Sequence, residues 1–426
     1  MTSDVLPPDT PERAAAQRHT VRALAVTNAV GGVGVTTGIT VATLLAADVS
    51  GRESLAGLSQ TAQVAGAALW AFVLSRVMTA RGRRVGLVIG YAIGTTGALL
   101  CVLAGVLRSF PLLLAAALLV GAAGAANSQS RFAATDLATE EHRGRDLSLV
   151  VWATTVGAVT GPNLAGLGGS LAIRLGLPPL TGAFLLTALA LLVTIALVHL
   201  LLRPDPLLAA RAAARRDPDR LAPEVSAWEV VRTRPTVAAC VVAIALAQAV
   251  MVGVMIMTPI HMRHGAASVQ VIGLTISGHI LGMYAFSPLV GRLVDRWGAW
   301  RVMLLGAAVE AASVALAAIT HAGASWLLSL ALFGLGIGWA LAMIGASSSL
   351  VGATPLLARA PVQGLSDLCM GLTAAVGGAL AGVIVGSLGY PVLALSCLPA
   401  CLVVAACALR VRHLGGPDRS GAGSPR

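Results

Sequence analysis

Runs of about 20 apolar residues, the length a helix needs to cross about 30 Å of hydrocarbon, recur twelve times along this chain of 426 residues. No other feature constrains the fold as tightly. Backbone N–H and C=O groups surrounded by lipid must find partners within the chain, and a helix of that length supplies them internally. The predicted spans, numbered 1 to 12, are 21–47, 56–78, 85–107, 110–134, 147–172, 180–202, 236–260, 269–291, 301–320, 325–348, 362–387 and 391–410. Hydrophobic residues make up 57% of the chain and charged residues 11%, more apolar content than a soluble domain can bury. The expected class is an all-α integral membrane protein with twelve transmembrane helices.

All 29 basic residues are arginines, so the positive-inside rule reduces to locating them. With the N-terminus inside, 24 fall on cytoplasmic segments, while Arg52, Arg108, Arg174 and Arg263 fall on the other face and Arg131 sits at a helix end. This predicts a multi-pass protein of the cell inner (plasma) membrane with both termini cytoplasmic. It also accounts for the net charge of +11 without a nucleic-acid partner, because the arginines border spans and form no basic patch interleaved with aromatics. The stretch before the first span is polar and proline-bearing, and lacks the apolar core of a signal peptide. Six cysteines fall inside predicted spans, which suits small apolar packing groups rather than a disulfide framework, and their spacing suggests no metal site.

The two halves share a register. The charged break at Gly291, Arg292, Asp295, Arg296 and Gly298 lies 216 positions after the basic break at Ser75, Arg76, Arg81, Gly82, Arg83 and Arg84. The same offset carries Gln63 and Gly66 onto His279 and Gly282, Arg143 onto Arg359, and Gly161, Leu164, Ala165 and Gly166 onto Gly377, Leu380, Ala381 and Gly382. One offset serving three regions indicates an internal duplication.

The pattern G-x-x-x-D-R-x-G formed by Gly291, Asp295, Arg296 and Gly298, with a degenerate first copy at Gly82 and Arg83, resembles the loop signature of the major facilitator superfamily. Asp136, Arg143, Gly144 and Arg145 resemble that superfamily's basic loop after its fourth helix. Gly157, Gly161, Pro162 and Gly166 resemble the glycine-proline signature that its antiporters carry on the fifth helix, with Ala165 replacing one glycine. The resemblance implies two pseudo-symmetric six-helix bundles, a central cavity open to one side at a time, and secondary transport. It divides the chain into a disordered cytoplasmic tail (1–20), an N-terminal bundle (21–202), a cytoplasmic linker (203–235), a C-terminal bundle (236–410) and a second disordered tail (411–426). One departure stands out. Proton-coupled drug exporters carry an arginine four residues before a glycine such as Gly121, and this chain has Ala117 there.

Polar side chains inside apolar spans are costly, and each needs a partner or a function. The candidates for the substrate cavity are Asn28, Gln63, Asn127, Trp152, Asn163, Gln248 and His279. Those for proton coupling are His279, Glu310 and Asp367, with a contact between His279 and Glu310 as the expected relay. Arg131 is read as reaching the interface, holding Asp136 or meeting substrate. Asp295 is expected at the inner start of the fifth helix, where free amides favour a negative charge. Gly157, Gly161 and Gly166 are expected to form a close seam, with a bend at Pro162. Met251, Met255 and Met257 would suit varied apolar ligands, and a short amphipathic piece around Trp228 would lie on the membrane surface. The expected activity is proton-coupled export of a drug-like or amphipathic small molecule by a monomer, with protons and membrane lipid as its other partners and no cofactor. Proton-coupled uptake of a nutrient or metabolite is the alternative, and a transporter-like sensor without turnover is a further one. A membrane-embedded enzyme would need a nucleophile and base or a metal cluster, and no such constellation is present.

Overall fold

The computed structural model describes residues 10–52, 55, 57–214, 226–267, 269–321, 323 and 326–414. The first bundle consists of α1 (Pro11–Ser50), α2 (Gly57–Arg81), α3 (Arg83–Leu107), α4 (Phe110–Ala133), α5 (Arg143–Arg174) and α6 (Gly182–Leu201). Two short helices follow, α7 (Pro206–Ala214) and α8 (Ala227–Thr233). The second bundle consists of α9 (Pro235–His264), α10 (Val269–Tyr284), α11 (Ser287–Trp297), α12 (Ala299–Ala318), α13 (Trp326–Ala353), α14 (Arg359–Leu388), α15 (Tyr390–Ser396) and α16 (Leu398–Leu414). Among the described residues, eleven helices are long and apolar enough to cross a membrane, or twelve when the bent α5 is included.

Several boundaries differ from the sequence reading, each for a local reason. α1 begins at Pro11 because Thr10 caps it, its Oγ1 accepting from the Arg13 N–H at 3.3 Å, and Pro11 lacks only an N–H that no helix start could use. Residues 11–20 are therefore helical, and residues 1–9 lie outside the described residues. The eighth span is two helices, because Pro288 in the first turn of α11 ends the α10 pattern at Tyr284. Pro399 divides the twelfth span in the same way, leaving Cys397 in the turn between α15 and α16, and all six cysteines are free thiols. α5 bends by 50° between Gly161 and Asn163, on either side of Pro162. Trp228 is exposed on α8 while Val230 is buried, so this helix is one-sided.

Each bundle has its own apolar core. In the first, Leu24, Leu74, Leu87, Tyr91, Val150 and Leu191 pack together. In the second, Ile244, Ala247, Met251, Met303, Trp339 and Leu350 do so. Outward-facing leucines such as Leu189, Leu274 and Leu402 stay exposed, as a lipid-facing surface requires.

The duplication is visible as geometry. α2 crosses α4 where Gly66 lies against the Leu118 carbonyl and Gly121 against the Gln63 carbonyl. α10 crosses α13 where Gly282 lies against the Phe333 carbonyl and Gly336 against the His279 carbonyl. A methyl group at any of these glycines would strike backbone, so both crossings need them. The offset is 216 on α2 and α10 and one residue less on α4 and α13.

The bundles meet along two seams, α2 with α14 and α5 with α10 and α11. The polar contacts between the bundles gather at the end that carries the arginine loops. Towards the other end α14 exposes Val376, Leu380, Val383 and Leu388, and α5 exposes Val159, Leu167 and Leu171. The cleft between the bundles is thus closed at the arginine-rich end.

Candidate functional site

The floor of the cleft is polar. Arg131, at the end of α4, donates from Nη2 to Oδ1 of Asp367 on α14 at 2.6 Å, and Gln129 donates from Nε2 to Oδ2 at 2.9 Å. Both members of the ion pair are buried. Among the described residues it is the one ion pair that joins the two bundles. Arg131 also stacks over Phe132, 4.5 Å from the ring centroid.

Arg131 does not hold Asp136. Arg83, fully buried at the start of α3, does so instead, donating from Nε at 2.8 Å and from Nη2 at 3.2 Å. The same Nη2 reaches Oε1 of Gln363 on α14 at 2.6 Å, so Arg83 also bridges the bundles. Arg83 was expected only as part of a degenerate loop motif. Its local cause is Gly82, whose φ of 90° turns the chain so that α3 starts with Arg83 pointing inward.

At the second seam Asp295 accepts from the backbone N–H groups of Gly144 at 2.8 Å and Arg145 at 2.9 Å, in the first turn of α5. Free amides and the helix dipole favour a carboxylate there. Gly291 makes this approach possible, since it lies against the Ser148 side chain and the Gly144 carbonyl. Gly298 takes φ 84° and ends α11. Arg296, one residue beyond the clamp, has no ion-pair partner among the described residues.

Above the floor, Trp339 donates from Nε1 to Oε1 of Gln248 at 2.8 Å and meets Tyr284 edge-on, with ring centroids 5.7 Å apart. Phe132, Met251 and Met283 pack in the same cluster, with Met255 and Tyr284 at its border. In the first bundle Tyr91 donates to Oδ1 of Asn127 at 2.6 Å. Tyr91, Tyr284 and Trp339 escaped the sequence reading, which weighed amides, charges and methionines. The signal available for Trp339 was a tryptophan deep inside a span, where its N–H needs a partner.

The other candidates divide. Asn28 is a tie between helices, donating from Nδ2 to the Val150 carbonyl at 2.9 Å and to Thr154 at 3.1 Å, and it is 2% exposed. Gln63 is buried against α4. Trp152 is 43% exposed on α5, and Asn163 is exposed with its amide turned back to the Val159 carbonyl at 2.7 Å. His279 does not face the cleft: it is fully buried, with Nδ1 2.7 Å from the Leu332 carbonyl of α13.

The expected contact between His279 and Glu310 is not formed. Nε2 of His279 and both carboxyl oxygens of Glu310 lack partners. The reason is packing order: α10 and α12 each pack on α13 and barely touch one another, and Glu310 lies against Gly338 on α13. On α5, Gly157 and Gly161 press on Gly32, Thr36 and Thr37 of α1, while Gly166 has open space where a side chain would be. That seam is internal to the first bundle.

The chain matches the Major Facilitator Superfamily model over residues 23–267 and 253–424. It is 35% identical over 381 residues to YddS of Bacillus subtilis, an uncharacterised MFS-type transporter, covering 89% of this chain and 87% of that one. It is 27% identical over 397 residues to the riboflavin transporter RfnT of Brucella anthropi, covering 91% and 96%. Its fold superposes on the crystal structure of the human organic anion transporter MFSD10 with a TM-score of 0.74 at 16% identity, covering 95% of this chain and all of that one. Two duplicated six-helix bundles, a cleft closed at one end and a sequence match over nearly the whole length lead to one conclusion: this chain belongs to the Major Facilitator Superfamily and is a secondary transporter, not an enzyme.

Proposed function

We propose that this transporter exports a weakly polar, drug-like or amphipathic organic compound in exchange for protons, with its arginine-rich end in the cytoplasm. The observation that carries the reading is the Asp367 carboxylate, held by Arg131 and Gln129 across the floor of the cleft. Protonation removes the charge that Arg131 pairs with, so proton binding and separation of the bundles at this end become linked. A proton arriving from the open side loosens the floor, and its loss to the other side restores the pair. Asp367 therefore takes the coupling role, and neither His279 nor Glu310 is needed for it.

The substrate class rests on the lining. Tyr284, partly exposed with Trp339 packed edge-on behind it, offers an aromatic face beside the adaptable Met255, with Gln248 as a fixed polar contact. The relationship to a riboflavin transporter makes flavins and other fused aromatic rings the first compounds to try. Export follows from the glycine-proline pattern on α5. The segments 21–202 and 236–410 act as the two moving bodies, within a monomer of the inner membrane.

Everted vesicles that carry the protein, energised acidic inside and loaded with a pH-sensitive dye, provide the test. Exchange predicts that adding substrate outside dissipates the gradient, because the compound enters as protons leave. Substrate-dependent acidification of the interior would instead mark symport, and the export reading would fall.

A further inference from the structure

The first three turns of α1 and the start of α5 enclose a pocket of about 620 Å³ at the arginine-rich end, apart from the cleft between the bundles. That volume is within the usual range for small-ligand sites, about 300–1,000 Å³. Arg13, Arg18, Arg22, His142 and Arg145 line it; Arg13 donates from Nε to the Leu137 carbonyl at 3.3 Å, and Arg18, Arg22 and Arg145 have no ion-pair partner among the described residues. Three unpaired guanidinium groups around one hollow suit a phosphate, whose oxygens they can bridge in pairs.

A second feature narrows the ligand. Gln17, 8% exposed, also lines the pocket. Its Nε2 donates to the Ala134 carbonyl at 2.7 Å and to Oδ2 of Asp146 at 2.5 Å, and two acceptors on one side fix the orientation of the amide. Oε1 is left buried with no partner. With Asp146 beside it, this wall of the pocket offers acceptors and calls for a hydrogen-bond donor. A phosphodiester or sulfate that carries no O–H or N–H leaves that wall unsatisfied.

We propose that the pocket binds a phosphate ester that also carries a hydroxyl or ammonium donor, the chemistry shared by a phosphatidylglycerol headgroup and by free glycerol 3-phosphate. The arginines hold the phosphate while Gln17 Oε1 and Asp146 accept from the donor. Arg145 belongs to both this site and the second seam, because its side chain lines the pocket while its N–H donates to Asp295. The site is separate from the floor at Asp367, so it stands or falls independently of the export reading.

Binding to the purified full-length protein in detergent, followed by native mass spectrometry and thermal stabilisation, tests the assignment with four probes: phosphatidylglycerol, glycerol 3-phosphate, phosphatidylcholine and inorganic sulfate. The expected result is at least tenfold tighter binding of phosphatidylglycerol or glycerol 3-phosphate than of the two probes that lack a donor. Binding of the ester without its acyl chains identifies a soluble ligand, and binding of the lipid alone identifies a headgroup site. Arg18→Gln with Arg22→Gln, both at exposed positions, is expected to lower the affinity at least tenfold. Arg410→Gln with Arg412→Gln, on the same end but remote from the pocket, is expected to leave it unchanged. Equal loss in the two double variants, equal binding of phosphatidylcholine, or no binding of any probe would overturn the proposal.

Discussion

The two seams that join the bundles occupy equivalent places in a duplicated scaffold, yet they are made of different chemistry. Where α2 and α4 meet α14, Arg83, Gln129, Arg131, Gln363 and Asp367 form a buried polar network. Where α5 meets α11 and α13, Leu147, Val151, Val290, Leu341 and Ile344 form an apolar cluster, with Asp295 alone clamping its edge. By the offset of 215 on α4 and α13, Arg131 corresponds to Ala346, and by the offset of 216 Asp367 corresponds to Val151 and Arg83 to Ala299. Even the shared close approach is reversed. Gly364 of α14 lies against Ser75 of α2, while Gly291 of α11 lies against Ser148 of α5, so serine and glycine have exchanged partners between the repeats. The duplicated scaffold holds two matching contacts, and only one of them is charged. A charged seam can be loosened by adding a proton. An apolar one changes only by sliding or parting.

The largest effect is expected from breaking the polar seam. Asp367→Asn should abolish proton-driven flux while substrate counterflow persists, and should destabilise the protein by about 3–5 kcal/mol because Arg131 is left buried without its counter-charge. Combining Arg131→Met with Asp367→Leu should restore most of that stability without restoring driven flux. Normal proton-driven accumulation in the double variant would reduce the pair to a structural contact.

The reversed serine and glycine offer a sharper comparison. Gly364→Ala overpacks the approach to Ser75 and should cost about 1–3 kcal/mol. Ser75→Gly in the same protein should recover it, whereas Ser148→Gly should not. Denaturation of the three variants checks this, and equal rescue by either serine change would mean that the seams are not independent. Gly161→Ala belongs to the same range of cost but acts between α1 and α5, so its loss should leave contact between the bundles intact.

A smaller change is expected at the apolar seam. Asp295→Asn weakens two charge-assisted hydrogen bonds at a half-buried position, at a cost of about 1 kcal/mol. It should raise the accessibility of cysteines introduced along the cleft to reagents added from the arginine-rich end. Unchanged labelling would show that the apolar cluster holds this side without the clamp. The smallest effect is expected for Glu310→Gln, which should keep driven flux within about twofold of the original protein, since no partner of the carboxyl group is lost. Loss of driven flux with counterflow retained would return coupling to Glu310.

The sequence by itself determined the number and rough limits of the spans and the duplication, because these depend on spacing along the chain, while the meeting of Asp295 with the start of α5 was implied by resemblance to the superfamily's loop motif. Apolar length fixes what crosses a bilayer, and one offset fixes which residues occupy matching faces of matching helices. Only the tertiary structure decided the partners. Arg131 could reach Asp136 along the chain, but Arg83 fills that place and leaves Arg131 to Asp367, 236 positions away. His279 and Glu310 lie on predicted spans 8 and 9, consecutive in the sequence, yet α13 packs between α10 and α12. A periodic pattern tells which side of a helix is buried. Which helix lies against that side, and which of two nearby charges arrives first, depends on how all the helices pack together.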